Sequence, residues 1–286
     1  MILQETYTLS NGVKIPKIAL GTWMITEDAA VQAVKEAINM GYRHIDSAQD
    51  YGNEAEVGAG VRESGVSREE IFVTTKLAAQ YKTYEGAKVA IEESLQRLDI
   101  GYIDMMIIHS PQPWGDFGGT DRYEEGNLEA WRALEEAYEA GKIRAIGLSN
   151  FQQSDVENIL NGGKVKPAVN QILAHISNTP FDLINFCNDK DILVEAYSPV
   201  GHGELFKNGA IAQMAEKYEV SVPQLCIRYD LQLGMLPLPK TANPEHMANN
   251  ADVDFVISDE DMKTLTNMEK IADYGEADVF PVYREA

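Results

Sequence analysis

Basic residues are scarce in this chain. Across 286 residues, 24 Lys and Arg face 45 Asp and Glu, a formal charge of −21 at pH 7. A surface of that sign repels phosphodiester backbones and anionic lipid headgroups, so nucleic acid and membrane are set aside as partners. An anionic cofactor would need a local set of basic side chains or helix ends to hold it. Cysteine is nearly absent: Cys187 and Cys226 stand in neither a CxxC nor a metal-type spacing. They read as buried, reduced thiols of a cytosolic protein. Long apolar runs are missing as well, none approaching the roughly 18 residues a membrane span needs. The segment Met1 to Thr8 lacks the basic and apolar regions of a secretory leader. A soluble, cytoplasmic protein is expected.

Phosphate-cradling glycine motifs are also wanting. No GxxxxGK[ST] occurs, and Gly58-Ala-Gly60 falls inside a helical pattern without the third glycine of a dinucleotide fingerprint. An open doubly wound sheet normally carries such a turn after its first strand.

What the chain has is hydrophobic material, 44% of it, enough for a substantial core, arranged in a steady alternation. Thr6 to Ile15 reads as a hairpin turning at Asn11-Gly12. Strands are predicted at Ile18–Leu20, Arg43–Asp46, Ile71–Lys76, Ile103–His109, Ile143–Ser149, Ala168–Ile172, Leu193–Tyr197 and Met235–Lys240. Helical spacing fills the intervals: Thr26–Met40, Glu54–Ser64, Ala87–Leu98, Leu128–Ala140 (ending at Gly141), Gln153–Leu160, Pro180–Asp189 and Ala210–Leu233, restarted at Ser221-Val-Pro223. Ser67 and Glu70 have the spacing of a capping box. Further helices follow near Pro244 and over Ser258–Met268. Strand–helix units in this number, with no linker between them, predict one domain over residues 1–286. Its fold class is α/β, a (β/α)8 TIM barrel with an N-terminal β-hairpin and extra helices near the C-terminus.

In such a barrel the reactive groups stand at the C-terminal ends of the strands. The second strand ends in Asp46, with Tyr51 in the loop that follows; the third ends in Lys76 and the fourth in His109. The chemistry that needs this set is proton transfer to a forming alkoxide. A phenol's ordinary pKa of about 10 is too high for free exchange near neutrality. A lysine ammonium beside it stabilises the phenolate, and an aspartate keeps that lysine charged. A neutral histidine is expected to donate a hydrogen bond to the carbonyl oxygen. Ser149, Asn150 and Gln171, on the next two strands, suit a carboxamide, and Tyr197 offers a flat face for stacking. Lys240 and Thr241 lead into a helix near Pro244, a phosphate-binding corner in many barrels.

Taken in order, these stretches resemble the aldo-keto reductase family. The resemblance runs through the hairpin, Leu20-Gly-Thr-Trp23, Gly41 to Glu54, the strands ending at Lys76 and His109, Gly147 to Phe151, Asn170-Gln171, Tyr197-Ser-Pro199 and Pro239 to Pro244. It implies reduction of aldehydes or ketones, such as small carbonyls, α-dicarbonyls or keto-sugars, by NADPH without a metal, in a short, bacterial-type member working as a monomer. On that resemblance the catalytic residues are Asp46, Tyr51, Lys76 and His109, with Tyr51 as proton donor. The cofactor contacts are Gly21, Thr22, Asp46, Ser149, Asn150, Gln171, Tyr197, Ser198, Val200, Gly201, Leu205, Lys240, Thr241, His246 and Asn250. The substrate meets Trp23, Tyr51, His109 and Trp114, with Tyr283 in the tail as a further wall.

Two positions depart from the family pattern. His246 stands where an arginine usually grips the 2′-phosphate, and a mostly neutral imidazole offers less than a fixed planar charge. Weakened NADPH preference and use of NADH are expected. The chain also reads His109-Ser-Pro-Gln-Pro-Trp114 where the family often has Trp-Pro after the histidine. Other classes are weighed beside this one. His44-Ile-Asp46 with His175 could be part of a metal site. Lys76 could form a Schiff base, as in barrel aldolases. The barrel could also bind a dinucleotide and sense redox state with little catalysis.

Overall fold

The structure is a computed structural model describing residues 1–284. Thr6–Thr8 (β1) and Lys14–Pro16 (β2) form the antiparallel hairpin, and Gly12, at φ +84°, takes the left-handed position its turn requires. Leu9 and Ile15 pack with Ala19, Phe72, Met105 and Leu236, residues at the N-terminal ends of the barrel strands. The hairpin therefore plugs the floor.

The barrel strands are Leu20–Gly21 (β3), His44–Asp46 (β4), Phe72–Leu77 (β5), Ile103–Ile108 (β6), Ile143–Ser149 (β7), Val169–Leu173 (β8), Leu193–Tyr197 (β9) and Leu236–Leu238 (β10). Each pairs in parallel with the next. A parallel bridge from Gly21 to Lys240 and a bond from Gly21 N–H to Pro239 C=O at 3.0 Å close the ring. A Cβ at Gly21 would sit 3.3 Å from the Leu238 carbonyl oxygen, so the seam needs a small residue there. β5 and β6 are buried at every position, as expected of strands between a packed interior and a helical jacket.

Around the strands run Glu27–Asn39 (α1), Glu54–Glu63 (α2), Tyr84–Leu98 (α3), Glu124–Glu139 (α4), Gln153–Gly162 (α5), Phe181–Asp189 (α6), Gly209–Lys217 (α7), Val222–Gln232 (α8), Pro244–Ala251 (α9) and Asp259–Thr266 (α10). A short α11, Pro281–Arg284, ends the described chain. The apolar stripes of α1 to α6 meet the outer faces of the strands in one continuous core that includes Val34, Ile91, Trp131 and Ile159. The helical region from 210 to 233 divides into α7 and α8, and Ser221 starts α8 with a capping box shared with Gln224.

The box expected at Ser67 and Glu70 does not form. That turn is only Arg68–Glu70, and the N–H of Glu70 is already taken by the Ser67 carbonyl at 3.0 Å. Gly58 and Gly60 have a packing reason rather than a phosphate one. Cβ atoms there would fall 1.9 Å from the Leu98 carbonyl oxygen and 2.7 Å from Val34 Cβ, so α2 lies too close to its neighbours for side chains.

Candidate active site

The loop after β4 is tied down on every side. Gln49 donates to the Ala90 carbonyl and to Ser94 Oγ, both at 2.8 Å, and accepts from Ala78 N–H at 2.8 Å. Asn53 donates to the Thr22 and Ile25 carbonyls and accepts from Ser47 Oγ. Glu54, almost wholly buried, receives Thr75 Oγ1 at 2.5 Å and the Arg97 guanidinium at 2.7 Å. These bonds give the Asn53-Glu54 pair its structural task, and they leave Tyr51 at the end of a rigid turn, Gln49–Tyr51.

Asp46 ends β4 and Lys76 lies one residue before the end of β5. Lys76 Nζ donates to Asp46 Oδ1 at 2.5 Å, to the Ser47 carbonyl at 3.0 Å and to Tyr51 Oη at 3.2 Å. Burial works to strip the Lys76 proton, but the Asp46 carboxylate and the Tyr51 oxygen together outweigh it and hold the ammonium charged above its ordinary range. Burial pushes the Tyr51 phenol up while Lys76 pulls it down, and the balance lies above the ordinary value. Where the sequence predicts a phenol eased toward ionisation, the structure holds one that keeps its proton at neutral pH. Such a group gives protons.

His109 follows β6 directly, and its Nδ1 lies 3.1 Å from Asp50 Oδ2. The same oxygen accepts the Trp114 indole N–H at 2.9 Å. Burial lowers the affinity of His109 for a second proton. Burial would raise Asp50, yet its bonds to His109 and Trp114 bring it below the ordinary range. An ionised Asp50 can only accept, so the single proton of a neutral His109 belongs on Nδ1. The neutral imidazole then has no proton on Nε2 with which to donate to a carbonyl, contrary to the expectation above. His109 donates through Nε2 only as an imidazolium. Asp50 was not singled out in the sequence, because the partners that give it meaning stand in the loop after another strand.

Deeper in the barrel, Gln171 donates its amide protons to Asp46 Oδ2 at 2.9 Å and to Glu195 Oε2 at 2.8 Å. That leaves only its carbonyl oxygen for a ligand. Glu195 is fully buried, its other oxygen has no partner, and burial first, then the Asp46 charge, lift its carboxyl to about 8. Nothing in the sequence marks it, since a glutamate within a strand reads as solvated. Asn150, at φ +62°, donates to the His109 carbonyl at 3.0 Å and accepts from Tyr197 Oη at 2.7 Å. Ser149 Oγ donates to the main-chain carbonyl of Gln171 at 2.9 Å, and Thr22 Oγ1 to that of Asp46 at 2.9 Å.

The remaining predicted positions separate into groups. Ser198 and His202 Nε2 both bond the Tyr283 hydroxyl, at 2.7 and 2.9 Å, and Trp23 stacks near Tyr283 with ring centres 6.3 Å apart. Gly201, at φ +55°, packs under Leu205, whose side chain is fully buried with Ile211 and Leu225 while Val200 lies against the same cluster. Lys240 is exposed and makes no hydrogen bond or ion pair among the described residues. It precedes the amino end of α9, where Thr241 Oγ1 and Asn243 Oδ1 accept backbone N–H bonds. His246 is exposed on the first turns of α9 and Asn250 buried beneath it.

The metal and packing alternatives can be read from the same bonds. His44 is fully buried, pairs with Thr74 Oγ1 at 2.9 Å and lies edge-on to Phe72. His175 has both ring nitrogens engaged, with the Ile176 carbonyl and the Tyr274 hydroxyl. His44 Nδ1 has no hydrogen-bond partner, but among the described residues no three His, Cys, Asp or Glu side chains come together where they could hold a metal ion.

A sequence profile of the aldo/keto reductase family matches residues 17–270. Glyoxal reductase of Bacillus subtilis is 42% identical over 270 residues, covering 94% of each chain. Glycerol 2-dehydrogenase (NADP(+)) of Saccharomyces cerevisiae is 36% identical over 284 residues, covering 92% of this chain and 90% of its own. Among solved structures, an aldo-keto reductase of Bombyx mori in complex with NADP superposes with a TM-score of 0.85 at 32% identity, covering 98% of both chains.

Proposed function

Because the chain belongs to the aldo/keto reductase family, we propose that it reduces aldehydes and ketones to alcohols with NADP(H), and that Tyr51 delivers the proton. The observation that carries this reading is the buried chain Asp46–Lys76–Tyr51, with its 2.5 and 3.2 Å contacts. A bound reduced nicotinamide would supply the hydride. As the carbonyl carbon gains it, the Tyr51 O–H bond breaks toward the carbonyl oxygen, which becomes the alcohol. The phenolate left behind is stabilised by the Lys76 ammonium, which Asp46 keeps charged, and it recovers a proton from solvent. His109, Trp114 and Trp23 wall the space in which the carbonyl sits.

The donor set fits a nicotinamide dinucleotide. Tyr197 offers a ring face, and Ser149, Asn150 and the Gln171 carbonyl oxygen stand together at adjoining strand ends, as a carboxamide requires. The unpaired Lys240 beside the amino end of α9 is the cation a phosphate needs on so acidic a protein. The NADP in complex with the Bombyx mori reductase and the NADP(+) in the yeast dehydrogenase's name support the same cofactor here. We propose a cytoplasmic monomer as the working unit. Among the described residues no helix is long and apolar enough to cross a membrane.

Tyr51→Phe tests the mechanism. Turnover is expected to fall far below a tenth of wild type, a step of about 1.4 kcal/mol, with cofactor binding by fluorescence retained. A variant keeping more than a tenth would refute Tyr51 as donor. For cofactor choice, an exposed histidine at 246 in place of arginine predicts measurable NADH use. The ratio of kcat/KM for NADPH to that for NADH should lie below about a thousand, or roughly 4 kcal/mol. A larger ratio rules the prediction out.

A further inference from the structure

Asp50 immediately precedes Tyr51 in the turn that the loop bonds hold rigid, and its carboxylate faces the space between His109 and Trp114. One oxygen accepts from both, at 3.1 and 2.9 Å. The two N–H groups along this edge of the pocket are therefore occupied, and by a fixed negative charge rather than a neutral acceptor. The Asp50 side chain is 28% exposed, so that charge also reaches the pocket space. Outward from Asp50 the surface opens into a cleft of about 390 Å³ whose wall includes Glu27, Glu54, Glu56 and Glu93. The cation in that wall, Arg97, is engaged by Glu54 at 2.7 Å and Glu93 at 3.4 Å. Lys76, the cation on the inner side, is bound to Asp46. A substrate anion in the carbonyl pocket therefore meets the Asp50 carboxylate on the edge where the His109 and Trp114 N–H groups would otherwise be donors.

We propose that Asp50 is a specificity-determining residue that disfavours carbonyl compounds carrying a carboxylate and directs the enzyme to neutral aldehydes and ketones. This rests on the reading that Tyr51, His109 and Trp114 mark the carbonyl pocket. It separates neutral dicarbonyls and sugar aldehydes, as substrates, from oxo acids.

The test uses a matched pair, 4-carboxybenzaldehyde and its methyl ester, with kcat/KM measured for wild type and Asp50→Asn. Asparagine keeps an acceptor oxygen for His109 and Trp114 and removes the charge, with an amide NH2 in place of the other oxygen. The acid-to-ester ratio is expected to rise about tenfold in the variant, the size of a unit charge felt across several ångströms of partly hydrated space. Glu56→Gln removes a charge from the same cleft away from His109 and should leave the ratio where it was. A ratio that moves less than twofold in Asp50→Asn, or that moves equally in Glu56→Gln, overturns the proposal. If the amide disturbs the loop, Asp50→Ser carries the same comparison. A wild type that reduces neither compound overturns the reductase reading and this inference with it; an unmoved ratio overturns only the role of Asp50.

Discussion

At Glu195 a carboxyl group sits wholly inside the barrel, bonded to Gln171 and close to the Asp46 charge. Folding raises it from 4.5 to about 8, so the native state keeps a proton that the unfolded chain releases. The unfolded state then binds fewer protons between those values, and stability falls as pH rises through that window. Glu195→Gln removes the titration. Its stability relative to wild type should grow from pH 5 to pH 8, by about 3 kcal/mol or somewhat more. Chemical denaturation at the two pH values checks this, and a gap that stays constant would count against a protonated Glu195. Asp46, Tyr51 and Lys76 were legible in the chain because strand ends and one short loop locate them. Glu195 and Asp50 were not, because each acquires its character from groups on other strands: Asp46 and Gln171 for the first, His109 and Trp114 for the second.

Among the elements, α2 is the clearest case of a sequence feature with two readings. Glycines at 58 and 60 fail as a dinucleotide fingerprint in the sequence, and the fold gives them their reason: they let the helix approach the end of α3 and the body of α1. A methyl group at Gly58 would collide with main chain, which cannot swing aside as a side chain can. Gly58→Ala should therefore destabilise by about 3 kcal/mol despite alanine's better helix propensity. A thermal midpoint equal to wild type would show that α2 shifts freely. Strand and helix order followed from periodicity nearly throughout, while β3 and β10 came out short because the barrel seam, not local preference, sets their pairing. The tail, with α11, packs Tyr283 on Trp23 and bonds it to Ser198 and His202. Its two-residue polar partners give no periodic signal.

For the whole molecule, the alternation of strands and helices determined the closed barrel, because eight units of this length leave their strands two faces to bury. The residue types at the strand ends carry the proposed chemistry, since an Asp, a Lys and a Tyr that meet form a set suited to proton transfer. Tertiary structure alone decided the state of those groups. It raises the Tyr51 phenol by burial, sets the Asp50 carboxylate against His109 Nδ1, and commits both Gln171 N–H groups inward. Protonation and hydrogen-bond direction depend on burial and on charges brought from distant parts of the chain. Those are properties of the packed barrel, and no stretch of sequence contains them.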